Sequence, residues 1–424
     1  IKVVIIGLLI LLLMIPMFMI ENLISERGRT QEEAIDEVSE KWSLAQTITG
    51  PYLNLQYPVV TENNGEKKVS IKDLILFPDE LMVNGQLKTE ILKRSIYEVN
   101  VYQSELTLKG SFSSEELKKS RIDMEQLQFD RAAICLNLTD MRGISEQISI
   151  TLGDSVYIFE PGMDNRGIAN TGVHAIANLS ELKQNKKLPY EIKIKLKGSQ
   201  SLNFIPLGKT TRVDLKANWN TPSFTGNYLP NNRNITEKEF SAQWQVLNLN
   251  RNYSQVMVDY NTSNIKDIEN SSFGVNFKIP VEQYQQSMRS AKYAILIILL
   301  TFGVIFFTEI MNKTRIHALQ YLLVGLALCL FYSLLLSFSE HIGFNPAYLL
   351  SSALTIILVG GYMFGITKKK KPSLIMSGLL GILYLYIFVL IQLETFALLA
   401  GSLGLLIILA MVMYFSKKID WFNE

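Results

Sequence analysis

Cysteine and histidine are scarce in this 424-residue sequence, which has two cysteines and three histidines. Cys135 lies among alternating apolar residues and Cys329 lies in the middle of a long apolar run, so the two are not expected to pair. This scarcity excludes a disulfide framework within one chain and any zinc site built on CxxC spacing. We therefore predict no metal and no cofactor.

An excess of one charge is also lacking, because 41 Lys and Arg face 39 Asp and Glu. A nucleic-acid surface would show a clustered basic excess, so we predict no nucleic-acid partner. The glycine-rich phosphate loops and the Gly-x-Ser-x-Gly elbow are absent as well. His174, within Gly172–Ala175, and Cys135 are predicted to be structural, and no catalytic residue is predicted.

Long apolar runs are what the sequence does contain. Five of them follow Lys292, and each is close to the 20 residues that an α-helix needs to cross a hydrocarbon core. Basic loops stay on the cytoplasmic side, and the breaks at Lys313/Arg315, Lys368–Lys371 and Lys417-Lys418 alternate with the breaks at Glu340-His341 and Glu394. The runs are Tyr293–Met311, Ala318–Phe338, Ala347–Ile366, Leu374–Gln392 and Phe396–Met413.

A sixth apolar run, Val3–Ile20, follows Lys2 and continues into Glu21 without the small residues of a signal-peptide cleavage site. We read it as an uncleaved signal anchor with its N-terminus in the cytoplasm. The sequence thus predicts a multi-spanning membrane protein with six spans, both termini cytoplasmic and the intervening domain extracytoplasmic. The predicted parts are 1–20 (first span), 21–290 (extracytoplasmic domain), 291–415 (five-helix bundle) and 416–424 (cytoplasmic tail).

The predicted fold class is α+β, with a large and predominantly β domain after the first helix. The domain should open with an amphipathic helix over Glu21–Thr47, supported by a capping-box pattern at Thr30 and Glu33 and ended by Gly50-Pro51. From Tyr52 to Phe277 the apolar period is two, as in Ile192, Ile194 and Leu196, which indicates a sandwich or two stacked sheets. Asn84-Gly85 indicates a hairpin turn. Short helices are predicted at Ser113–Ser120 and Val281–Arg289.

Polar residues near the ends of the spans are candidates for function, because ionisable groups at membrane depth are costly and often functional. Ser333, Ser337 and His341 share one helical face and predict a polar stripe running into the bundle. The alternative is that all such groups lie at interface depth. The candidates are Glu309, Ser337, Glu340 and His341.

Several motifs run in order through almost the whole chain, and the strongest is NWNTPSFTGNYLP at Asn218–Pro230. Together they resemble the CreD inner-membrane (cell envelope integrity) proteins. One departure is His317-Ala318, where the family has His-Pro. The other motifs include Trp42, Gly50-Pro51, Asp140–Ile144, Gln320–Leu326, Ser339-Glu340-His341 and Asp420-Trp421.

The resemblance implies an inner-membrane protein tied to envelope integrity and envelope stress, and it supplies no catalytic residue. The first hypothesis is a non-enzymatic protein whose periplasmic domain binds another envelope protein or peptidoglycan. Trp219, Phe224 and Tyr228 are candidate contacts, since aromatic anchors are common in interfaces, although core packing explains them equally well. The alternatives are a transporter or lipid-handling protein and, third, an extracytoplasmic hydrolase around His174.

Overall fold

The computed structural model describes residues 2–416 except 64–65, 121, 164–167, 185, 259–261, 278, 280–281, 313–314 and 394–396. The chain divides into a helical unit, Ile1–Glu32 with Pro280–Glu424, and a β-sheet unit, Glu33–Ile279. Lys313, Glu394, Lys417 and Lys418, which contributed to the predicted loop charges, lie outside the described residues.

Long apolar helices form at the predicted runs. Among the residues that the structure describes, four helices are long and apolar enough to cross a membrane, or five if the bent pair α4–α5 is one span. The prediction of several apolar helices is therefore confirmed, whereas the count of six stays a prediction. The helices are α1 (Lys2–Trp42), α2 (Glu115–Lys119), α3 (Thr262–Asn270), α4 (Glu282–Lys292), α5 (Ala294–Asn312), α6 (Ala318–Ile342), α7 (Phe344–Thr367), α8 (Lys370–Gln392) and α9 (Ala397–Ser416).

Helix α1 corrects two predictions. It runs without a break from Lys2 to Trp42, so Thr30 lies inside it and its hydroxyl donates to the Glu26 carbonyl at 3.0 Å instead of capping a helix start. The helix also ends before Gly50-Pro51, because that pair lies inside the first strand. There it interrupts the pairing register between Thr49 and Tyr52.

The last part of α1 packs on the β-sheet unit, as its amphipathic pattern predicted. Trp42 donates to the Tyr102 carbonyl, and the Lys197 ammonium lies 4.9 Å from the centre of the Trp42 ring. Arg94 pairs with Glu37 at 3.1 Å. The acidic face of this segment therefore bonds to basic side chains of the same unit.

Two sheets make up the β-sheet unit. Their strands are β1 (Gln46–Asn63), β2 (Glu66–Leu76), β3 (Glu80–Arg94), β4 (Tyr97–Phe112), β5 (Ala132–Leu138), β6 (Ser149–Leu152), β7 (Ser155–Ile158), β8 (Glu160–Pro161), β9 (Gly172–Ala177), β10 (Leu188–Ser199), β11 (Ser201–Phe204), β12 (Thr210–Ala217), β13 (Ser223–Gly226), β14 (Asn232–Ile235), β15 (Phe240–Leu247), β16 (Val256–Val258) and β17 (Phe273–Asn276). One sheet has the order β13-β17-β11-β1-β5-β9-β8, with β2 paired to β1 and β16 paired to β2, and the other has the order β14-β15-β12-β3-β4-β10-β6-β7.

The main core lies between the inner faces of the two sheets. Leu53 and Ile134 of the first sheet share one buried apolar cluster with Leu108, Ile192 and Val213 of the second. Strand β10 alternates between buried and exposed residues as its sequence predicted. Burial of one face of each sheet is what an apolar period of two requires.

Asn84-Gly85 is not a turn, which corrects the predicted hairpin. Both residues lie inside β3, and the chain reverses at Ser95-Ile96. A Cβ at Gly85 would lie only 2.6 Å from a methyl of Leu215 and 2.7 Å from one of Leu106. Glycine is present there because two neighbouring leucines fill the space, a requirement that the local sequence does not reveal.

The motif Asp140–Ile144 fixes the junction between α1 and β1. The Asp140 carboxylate accepts from the Leu44 amide at 2.9 Å and from the Arg142 amide and Nε, each at 3.0 Å. The Gln46 side chain bonds to the Asp140 backbone, and a Cβ at Gly143 would overlap the Lys197 carbonyl. This motif therefore serves the fold of the unit.

Candidate functional site

One cleft in the β-sheet unit has a volume of about 600 Å³. One wall is the segment Asn252–Val258, and the other side carries Glu116, Lys119 and Ser120. Apart from the Glu116 and Lys119 pair, its polar groups are neutral amides and hydroxyls. A cleft of this size is within the range of ligand sites. Its lining suits a neutral ligand rich in hydrogen-bonding groups.

Arg251 holds the cleft wall in place from behind. Its buried guanidinium donates to the carbonyls of Leu207 and Gly208, at 3.0 and 3.3 Å, and bonds to the side chain of Gln255. The guanidinium also lies 4.4 Å from the centre of the Tyr253 ring. Burial lowers the pKa of Arg251, although Tyr253 opposes the effect. Arg251 thus positions Tyr253 and Gln255, which line the cleft.

Tyr228, a predicted contact residue, supports the same wall. Its hydroxyl donates to the Asn250 carbonyl at 2.8 Å, and its ring packs edge-on against Phe273 at 5.8 Å. Trp244 donates to the Tyr228 carbonyl at 3.2 Å. The motif Asn218–Pro230 is therefore linked to the segment that begins the cleft wall.

Trp219 and Phe224 are half-buried and pack against the main core, so they are not free aromatic anchors. Phe224 makes edge-on contacts with Phe240 and Trp244, with ring centres 5.9 and 5.6 Å apart. Trp219 donates to the nearby Thr221 carbonyl. Packing against the core, the alternative that the sequence left open, accounts for the positions of these two residues.

Glu309, predicted from its place in a span, is buried at one end of the helical unit. Its carboxylate accepts from the Ile316 amide and the Tyr321 hydroxyl, each at 3.1 Å, and pairs with Lys2. We call these four residues the Glu309 cluster. It connects the start of α1 with the end of α5 and the start of α6.

Glu340 lies at the opposite end of the same helices. Its carboxylate accepts from the Tyr284 hydroxyl at 2.9 Å, and Arg27 lies 3.8 Å away. We call Arg27, Tyr284 and Glu340 the Glu340 cluster. From Lys2 to Arg27, α1 rises about 37 Å, enough to cross a hydrocarbon core. The two clusters therefore join α1 to the other helices at the two ends of a membrane-length segment.

The predicted polar stripe is wrong in its direction. Ser337 and His341 are exposed in the helical unit, and Ser333 is half-buried. The buried serine of this helix end is Ser339, whose hydroxyl donates to the Leu336 carbonyl at 2.8 Å. The stripe does not run into the bundle, because the face of α6 that packs inward carries Leu335 and Ser339 instead.

Cys135 and His174 are neighbours on adjacent strands, which the sequence did not indicate. They are register partners in β5 and β9, and Glu160 of β8 is the next register partner of His174. However, Cys135 has no exposed surface, and the His174 Nδ1 is 2.8 Å from the Gly162 carbonyl. A thiol must be accessible to attack a substrate, so this arrangement fits structural roles.

The sequence did not single out Arg251, Gln255, Arg27 or Tyr284 as candidates. Arg27 and Tyr284 bond to Glu340, and Arg251 bonds to the Leu207 and Gly208 carbonyls, which are all distant in the chain. The available signal was indirect: Glu340 in an apolar run requires a partner, and Arg27 belongs to a basic segment at the matching distance along α1.

These features define a class: a multi-pass membrane protein with a large two-sheet domain between its first apolar helix and a group of further apolar helices. The sequence matches the family model described as Inner membrane protein CreD over residues 1–422. It is also 32% identical over 420 residues to the Inner membrane protein CreD of Escherichia coli (strain K12), covering 97% of this chain and 91% of that protein. The chain belongs to the CreD family of inner-membrane proteins.

Proposed function

We propose that this protein supports envelope integrity without catalysis, by binding envelope material through its β-sheet unit on the periplasmic side. The charge alternation of the loops supports this placement, with both termini in the cytoplasm. The burial of Cys135 and the contact of His174 with the Gly162 carbonyl support a non-enzymatic role over the hydrolase alternative.

The cleft beside Asn252–Val258 is the observation that carries this proposal. Its wall is held from behind by Arg251 and Tyr228, so its shape is preorganised for binding. The neutral amides and hydroxyls favour a glycan, and we assign the glycan strands of peptidoglycan as the ligand class. A protein partner is the competing occupant.

A photo-crosslinking amino acid at Asn252 tests this assignment in living cells. We expect adducts that shift in size on digestion with a muramidase, because the glycan should lie within reach of the cleft. The same probe at Val156, an exposed position of edge strand β7, is the matched control and should give no such adduct. Adducts that resist muramidase but yield to protease would replace the glycan by a protein partner.

Two exposed valines allow a functional comparison. Val258, in β16 at the cleft, is 38% exposed, and Val156 is 64% exposed. We expect Val258→Asp to reduce survival in detergent or β-lactam at least tenfold at normal protein abundance, whereas Val156→Asp retains it. Equal survival of the two variants would contradict a role for the cleft.

A further inference from the structure

Six hydroxyl groups are buried inside the helical unit without a hydrogen-bond partner among the residues that the structure describes. One is that of Tyr384 in α8. The other five come from four consecutive helices, and each of their side chains is at most 1% exposed. These five belong to Ser287 and Ser290 of α4, Thr301 of α5, Tyr332 of α6 and Ser351 of α7.

Hydroxyls in apolar helices usually donate to a carbonyl one turn earlier. Three hydroxyls of the same helices do so: Ser339 donates to Leu336, Thr355 to Ser351 and Thr367 to Met363, each at 2.8–2.9 Å. The five groups differ from these. An unpartnered buried hydroxyl costs about 1–3 kcal/mol, so a set of five requires further hydrogen-bonding groups.

The five hydroxyls lie in the half of the bundle that ends at the Glu340 cluster. Tyr284 bonds to Glu340 at this end, Gly343 joins α6 to α7 here, and Gln392 of α8 donates to Asn345 of α7 at 2.7 Å. Thr301 and Ser351 each lie about two turns from this end of their helices, and Tyr332 lies about three turns away. Helix α4 contacts α6, α7 and α8.

A break in the backbone is a second, independent observation at the same place. Helices α4 and α5 bend by 41° around Tyr293, three residues after Ser290. At the bend, the Tyr293 amide donates to the Ser290 carbonyl, three residues earlier in the chain, whereas a regular α-helix bonds to the residue four positions earlier. Broken helices at membrane depth are found where the backbone is buried in protein or lines water.

We propose that these five hydroxyls form a hydration site, which holds ordered water in the half of the bundle next to the Glu340 cluster. Water matches the chemistry because it both donates and accepts, and buried water makes about three hydrogen bonds on average. The hydroxyls that define the site are neutral, which suits a neutral ligand. The side from which water enters is the periplasm, and only this clause rests on the proposed function.

Silver ions test the hydration site, because a small thiol-reactive cation reaches a cysteine only through water. In a Cys135→Ala, Cys329→Ala background, Ser351→Cys is compared with Ser352→Cys. Ser352 is the neighbouring, more exposed position of the same helix. Intact cells in nitrate buffer are treated with silver, and the thiols that remain free are labelled with a maleimide after denaturation.

We expect silver to block Ser351→Cys at least tenfold faster than Ser352→Cys, whose side chain is less buried. Thr301→Cys and Leu299→Cys form a second pair on α5, buried and exposed respectively, in case one variant fails to accumulate. Equal or absent blocking in both pairs would overturn the hydration site. If the tenfold difference in blocking appeared in inverted vesicles and not in intact cells, the hydration site would stand. The proposed topology would then be wrong, because water would enter from the other side.

Discussion

At the scale of single residues, neighbouring side chains or side chains of the same type have different roles in this protein, and burial decides between them. Glu340 is bonded to Tyr284, whereas His341 is exposed. Asp140 is buried in a network, whereas Asp154 is exposed in a turn. Such pairs supply matched controls for mutation.

Glu340→Leu should lower the apparent unfolding temperature of the purified protein by several degrees. The change removes the acceptor of the Tyr284 hydroxyl and the carboxylate beside Arg27, a loss of about 1–3 kcal/mol. Thermal unfolding in detergent is the measurement. His341→Leu should leave the temperature within about one degree, because that side chain is exposed. A larger effect of His341→Leu than of Glu340→Leu would show that the Glu340 cluster does not stabilise the bundle.

Asp140 makes the stability of the β-sheet unit depend on pH. Burial raises the pKa of this carboxyl, but hydrogen bonds from the Arg142 side chain, the Leu44 amide and the Arg142 amide outweigh burial and lower the pKa below its usual value. A lowered folded-state pKa means that the charged carboxylate stabilises the fold above the unfolded-state pKa. This contribution is lost as the pH falls through the folded-state pKa.

Asp140→Asn should therefore be less stable than the wild type at pH 7, and the difference should shrink below about pH 4. Unfolding followed by denaturant over this pH range measures the difference. Asp154→Asn, at the exposed turn, is the control and should follow the wild type. A difference that stays constant with pH would mean that the charge of Asp140 contributes nothing.

At the scale of secondary-structure elements, close approach of helices depends on particular glycines. A Cβ at Gly360 of α7 would overlap the Ser377 hydroxyl of α8, and Ser373 of α8 donates to the Gly360 carbonyl at 2.6 Å. Gly361 has open space where its Cβ would lie. Small residues permit this approach in membrane helices, where packing is a main source of stability.

Gly360→Leu should destabilise the bundle by about 1–3 kcal/mol, as overpacking does in other tight interfaces. Gly361→Leu should be tolerated, because a Cβ at Gly361 would lie in open space. Unfolding of the two variants is compared at increasing concentrations of a harsh detergent. If both behave alike, α7 and α8 do not pack through Gly360.

At the scale of the whole molecule, two internal clusters hold the ends of the helical unit. The Glu309 cluster joins α1, α5 and α6 at one end, and the Glu340 cluster joins α1, α4 and α6 at the other. This arrangement makes α1 and α6 parallel to each other and α5 antiparallel to both. A single membrane orientation for α1 therefore fixes the side on which each loop lies.

The proposed topology predicts opposite signals from reporter fusions at two loops. A periplasmic reporter inserted after Asn63 should be active, and one fused after Lys370 should be inactive, because the basic run at Lys368–Lys371 stays in the cytoplasm. A cytoplasmic reporter at the same sites gives the reciprocal pattern. If both reporters gave signals from the same side, the chain would cross the membrane an even number of times between Asn63 and Lys370. That result would contradict the proposed topology.

Local patterns in the sequence were sufficient for much of the fold. Apolar runs of about 20 residues predicted the long helices, since hydrocarbon thickness sets their length. Alternation at Ile192, Ile194 and Leu196 predicted a strand with one buried face, because side chains alternate across a sheet. The resemblance at Asn218–Pro230 predicted the CreD family, which the comparisons confirm.

Tertiary structure decided what depends on residues distant in the chain. Gly85 is inside a strand because Leu215 and Leu106 occupy the space beside it, and the Glu340 carboxylate has partners because Tyr284 and Arg27 reach it. The face of α6 that turns inward is set by its neighbouring helices, so the exposure of His341 was not visible in the spacing of Ser337 and His341. Periodicity fixes which residues share a face, but only packing determines which face is buried.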